Sequence, residues 1–127
     1  MKLFKVMESM DDAITGKGVD KSSIEAAEGA LGVSFSKEYR AYLECYGIAA
    51  VNGHELTGIC KSDRTNVVAV TQSAKRIHET ANDWYVVEET NIDGIVIWQA
   101  SDGTVYQTAP NAKAKKLCAS LAEYINM

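Results

Sequence analysis

Apolar residues recur at intervals of three and four along the first third of the chain. Leu3, Val6, Met7, Met10 and Ile14 share one helical face, and the glycine-bearing segment TGKGVDK after them ends that helix. Ser22 and Glu25 have the spacing of a capping box, in which hydroxyl and carboxylate satisfy unpaired backbone N–H groups. They predict a second helix with Ile24, Ala27 and Leu31 inward. Gly32 then stands where a helix needs a left-handed terminator, and Ser36 where the next helix needs an N-cap. On that third helix Tyr39, Tyr42, Leu43 and Tyr46 fall on one face, and Gly47 closes it.

After Gly47 the pattern shortens. HELTGI, NVVAV, YVVEET and GIVIWQA are β-branched runs that predict strands. TNIDG, with Gly94 available for positive φ, joins the last two as a hairpin, and Asp102-Gly103 turns the chain into a further short strand. A short helix capped by Thr71 fits between Val70 and His78. Ala114, Leu117, Cys118, Leu121 and Ile125 predict an amphipathic helix at the carboxyl end. Helices, then strands, then a helix make an α+β fold: an antiparallel sheet of about four to six strands with the C-terminal helix packed on it.

A chain of 127 residues is the size of one domain, and residues 1–127 are expected to form a single one. The net charge of −4 argues against direct nucleic-acid binding, which needs a basic face. Glu8, Asp11 and Asp12 interrupt the amino-terminal apolar run before it could form a leader or a membrane span, so the expected location is the cytoplasm, without membrane contact. Cys45, Cys60 and Cys118 are distant from one another and lack a CxxC pairing, which favours reduced thiols over a disulfide or metal site.

Motifs for catalysis do not assemble. TGKGVDKS lacks the spacing and the preceding strand of a phosphate loop, and Gly16 and Gly18 have no third glycine for a dinucleotide fingerprint. His54 and His78 sit in neither HExxH nor any nucleophile motif, and both read as ordinary surface or hydrogen-bonded side chains. The tyrosine face is what a helix needs to dock on a sheet, with Arg40 paired to Glu44 one turn on. No catalytic residue, metal ligand or cofactor is therefore expected.

Charge distribution is more informative. Between Ile77 and Ala112 the chain carries Glu79, Asp83, Glu88, Glu89, Asp93 and Asp102 with no lysine or arginine. With Trp84 and Trp98 nearby, such a surface suits the steering and anchoring of a basic protein. The expected contact set is Glu55, Asp83, Glu88, Glu89 and Asp93 as charges, with Trp84 or Trp98 as anchor.

The whole pattern resembles the SUKH superfamily, which includes bacterial immunity proteins and fungal cell-wall assembly regulators. The resemblance runs through IEAAEGALGVSFSKEYRAYLECYG, where Ile24, Glu28, Leu31, Gly32, Tyr39, Arg40, Leu43 and Gly47 fall on the family signature in order. It continues through GHELTGI, NVVAVTQSAKR, GIVIWQASDGTVYQTAP and the final SLAEYI, with Ser36 in place of the usual proline. The resemblance implies an α+β fold, no shared catalytic residues and a non-enzymatic protein; a monomer or weak homodimer is the expected state. Its partner would be a cognate polymorphic toxin, often a nuclease; the alternative is a regulatory adaptor on a cellular protein.

Overall fold

The structure, a computed structural model, describes all 127 residues. Helix α1 (Lys2–Ser9) buries Leu3, Val6 and Met7, and the chain leaves the helix at Met10, whose backbone is extended. Ile14 is thus not on the helix. It lies in the two-residue strand β1 (Ile14–Thr15) and is 73% exposed. Helix α2 (Lys21–Leu31) begins one residue before Ser22, because the Asp20 carboxylate accepts the Ser23 N–H at 2.9 Å and serves as cap. Those hydrogen bonds, the Ser23 N–H foremost, hold the Asp20 carboxyl below its usual range.

Gly32 ends α2 in the left-handed region (φ 67°), and the Ser36 hydroxyl caps α3 (Lys37–Tyr46) by accepting the Tyr39 N–H at 2.9 Å. The two helices are stapled by Glu28. Its carboxylate accepts the buried Phe35 N–H at 2.7 Å and two guanidinium N–H groups of Arg40 at 2.6 and 3.1 Å. Arg40 thus pairs across the hairpin with Glu28, not along its own helix with Glu44. That contact gives two signature residues a structural role.

The TGKGVDK segment runs back along the end of α3, where the Val19 N–H donates to Leu43 O at 3.0 Å. A Cβ on Gly18 would lie 1.8 Å from the Glu44 carbonyl oxygen, so this glycine is required for close backbone approach.

Strands β1, β2 (Ala49–Val51) and β3 (His54–Glu55) form a small antiparallel sheet. A separate antiparallel meander follows the order β4 (Tyr85–Glu89), β5 (Val96–Gln99), β6 (Val105–Thr108) and β7 (Lys115–Cys118). The strands thus divide between two sheets, seven in all.

Two predicted elements differ in type. NVVAV opens helix α4 (Val67–Lys75), because the Asn66 side-chain oxygen accepts the Val68 and Ala69 N–H groups at 2.9 and 3.3 Å. Val67, Val70, Thr71 and Ala74 are its buried face, a helical spacing whose burial outweighs the few tenths of a kcal/mol that each β-branched residue costs a helix. Thr71 lies within the helix rather than at its cap, and its hydroxyl oxygen accepts the Val86 N–H at 3.0 Å. The carboxyl end is also reassigned. Lys115–Cys118 is strand β7, and α5 spans only Leu121–Ile125, capped by Ser120, which accepts the Glu123 N–H at 3.1 Å.

The main core lies between the helices and one face of the four-stranded sheet, with Tyr39, Tyr42, Leu43, Leu56, Tyr85, Ile97, Val105, Leu121 and Ile125 at its centre. A smaller cluster on the other face joins Val70 and Ala74 of α4 to Val86, Val96 and Trp98. The tyrosine face is a packing element: Tyr39 and Tyr42 stack with centroids 5.4 Å apart, and Phe35 meets Tyr39 and Tyr85 edge-on. Their hydroxyls are engaged as well. Thr57 donates to Val86 O and accepts from Tyr39, while Tyr42 donates to Thr57 O, each at 2.8 Å.

The staple between α2 and α3 makes a graded prediction. Glu28→Ala leaves the buried Phe35 N–H unpaired and lowers stability by about 1–3 kcal/mol, whereas Arg40→Ala, which removes a half-exposed partner, costs about 1 kcal/mol or less. Urea midpoints at unchanged slope measure both, and equal losses would contradict the backbone role of Glu28.

Candidate partner-binding surface

The acidic stretch is divided by the way β4 enters the sheet. Pairing between β4 and β5 is irregular between Val86 and Glu88, so that Glu88 sits opposite Ile97 while Val86 sits opposite Trp98. Strict alternation from Tyr85 would direct Glu88 to the α4 side; the irregularity turns it toward the main core instead. Glu88 is only 6% exposed. It accepts the His54 Nδ1–H and the Glu55 backbone N–H, each at 2.9 Å, and the Tyr124 hydroxyl. One carboxylate thus joins β3, β4 and α5. The His54 ring lies 4.5 Å from that of Tyr124, and its Nε2 is buried without a partner.

Trp98 is likewise unsuited to anchoring. It is fully buried under α4, and its indole N–H donates to Thr108 Oγ1 at 2.7 Å. That hydroxyl is also hydrogen-bonded to His78 Nδ1 at 2.8 Å. Both histidines are thus hydrogen-bonded structural side chains.

The other predicted contacts separate into two places. Asp83 and Trp84 precede β4 at the end of the hairpin away from its tip; Asp83 is exposed and Trp84 half-buried, stacked on Tyr106 with centroids 4.0 Å apart at 15°. Lys75, held by its amine to Asn82 O at 2.8 Å, has its pKa lowered by burial, with Asp83 opposing that shift.

At the opposite end, Glu89 pairs with Val96 and faces α4, where it joins Glu55 in a cleft of about 340 Å³. Asp63, Arg64, Ser73 and Asn91 share the cleft. Arg64 is already ion-paired with Glu55, which leaves Asp63 and Glu89 without a cation. Asp93 is exposed on the hairpin tip beside it, held at φ 53° between Asn91 (φ 59°) and Gly94 (φ 70°). Asp63 was not singled out in the sequence, since it lies outside the acidic run and adjoins Arg64. Only the fold of the loop between β3 and α4 brings it to Glu89.

No helix is long and apolar enough to cross a membrane. The chain belongs to the SUKH_5 family, described as SMI1-KNR4 cell-wall, which matches residues 2–127. A crystal structure of a protein from Pseudomonas syringae pv. tomato is similar in fold, with a TM-score of 0.72 at 12% identity over 98% of this chain and 93% of that one. Among curated proteins none matches.

The buried phenols predict an alkaline limit. Burial is the main cause that pushes Tyr39, Tyr42, Tyr85 and Tyr124 above the ordinary tyrosine value, and Glu88 adds to the shift at Tyr124. A folded pKa above the unfolded one gives stability that is complete below the unfolded value of about 10 and declines as pH rises past it. Absorbance at 295 nm should therefore show these phenols ionising together with loss of far-UV circular dichroism. Smooth titration of all six tyrosines in a folded chain would contradict their placement.

Proposed function

We propose that the chain is a non-enzymatic immunity protein of the cytoplasm, which binds a cognate polymorphic toxin one-to-one and blocks it. The observation that carries this reading is the open cleft where Glu55, Asp63 and Glu89 meet against a single arginine, with Asp93 beside it. A nuclease presents a basic groove to its substrate, and an acidic surface can approach such a groove quickly and occupy it. Family membership supports a role in protein binding. It also supports a second reading: the description of the family as cell-wall favours an adaptor for a cellular protein.

Asp83 and Trp84 are assigned to the rim of the contact, whereas Glu88 and Trp98 act only by shaping the surface. Affinity capture from the native lysate, followed by mass spectrometry, separates the two readings. Recovery of a toxin whose killing this protein suppresses on co-expression supports immunity, and recovery of housekeeping proteins alone supports the adaptor. With the captured toxin, Asp63→Lys combined with Glu89→Lys should slow association by about tenfold or more and flatten its salt dependence, while the melting temperature changes little. Unchanged association kinetics in this folded double variant would remove the cleft from the interface.

A further inference from the structure

The acidic cleft continues past Glu89. Ser73, Glu89 and Asn91 also line a neighbouring cleft of about 360 Å³ whose remaining wall is largely apolar, with Ala74 and Ile77 on one side and Ile95, Val96 and Pro110 on the other. The shared residues make the two clefts one groove, bounded by α4 and the β4–β5 hairpin. Ile77 is 70% exposed on its wall, and Ile92, beside Asn91 at the hairpin tip, is 63% exposed. Large aliphatic side chains left in water at both margins of a groove mark a surface that association would cover.

We propose that this groove takes an extended segment of the partner protein in which a lysine or arginine lies two residues from an apolar side chain. This rests on the protein-binding reading above and specifies what is bound. In an extended segment, residues two apart project to the same side about 6.6 Å from one another. The base enters between Asp63 and Glu89, and the apolar side chain lies against Ile77 and Ile95. Ser73 and Asn91 stand exposed at the junction, where their polar groups can meet the segment's backbone. Charge selects this occupant over a second copy of the chain. The protein carries a net −4, so self-association would bring an acidic surface to an acidic cleft.

The test needs no toxin. Isotope-labelled protein is titrated with the peptide acetyl-Ala-Arg-Ala-Leu-Ala-amide, and amide shifts are followed by NMR. Shifts that saturate in residues 63, 73, 77 and 89–95 are expected, with affinity reduced about tenfold or more in Ile77→Asp and in Glu89→Lys. The same peptide with Glu for Arg should give no saturating shift there. Equal responses to both peptides, shifts centred elsewhere, or no response would overturn the proposal; unchanged spectra of both variants away from the groove verify that they fold. The two readings fail separately. Peptide in the groove with no toxin captured leaves the groove and removes immunity, whereas a toxin bound at full affinity by Ile77→Asp, with the groove silent to peptide, does the reverse.

Discussion

The carboxylate of Glu88 is the point on which the two sheets and the C-terminal helix depend. A buried charge is tolerated only where hydrogen bonds replace its lost hydration, and Glu88 has three donors from three directions: His54, the Glu55 backbone and Tyr124. Because β3 has only two residues and belongs to a different sheet from β4, backbone pairing does little to fix one against the other. Glu88 supplies that register together with Thr57, whose N–H donates to Val87 O at 2.9 Å and whose hydroxyl donates to Val86 O at 2.8 Å. By binding the Glu55 N–H it also directs the Glu55 side chain outward, so a buried acid helps place an exposed one in the cleft.

A second polar network holds the opposite end of the sheet. Ser36 donates its N–H to the Tyr85 hydroxyl and its own hydroxyl to Gln99 Oε1, while Gln99 Nε2 donates to Glu38 at 2.9 Å. Glu38 in turn accepts the Leu121 and Ala122 N–H groups at 2.6 and 3.0 Å, and so satisfies the start of α5. Serine makes a bond here that the usual proline could not, because its N–H donates to the Tyr85 hydroxyl. Between the two networks the aromatic core is closed on the α1, α3 and α5 side. The face between α4 and the hairpin, with Asp63, Glu89, Ile77 and Ile92, belongs to neither network.

Much of the architecture was legible in the sequence because it is local. Gly32, Ser36 and Gly47 mark their helix ends by conformational need, and the tyrosine spacing marks the buried face. The errors have physical causes. NVVAV has strand propensity, but Asn66 before it and buried positions at 67, 70, 71 and 74 carried a helical signal that outweighs propensity. At the carboxyl end, Ser120 and Glu123 have the spacing of a capping box and locate the start of α5, yet the apolar period continues across the boundary and conceals it. The candidate site was half legible. Glu89 and Asp93 stand out through the acidic run between Ile77 and Ala112, whereas Glu55 lies outside that run and the burial of Glu88 depends on an irregularity in strand pairing that periodicity does not encode. Asp63 required the tertiary course of a loop.

If the proposed contact is right, a partner covers the face between α4 and the β4–β5 hairpin. Hydrogen–deuterium exchange of the protein, free and saturated with its captured partner, tests this most directly. Slowed exchange is expected over residues 63–77 and 89–95, with α1 and α5 unaffected. Protection confined to α1, α3 and α5, with the hairpin exchanging as in the free protein, would contradict it.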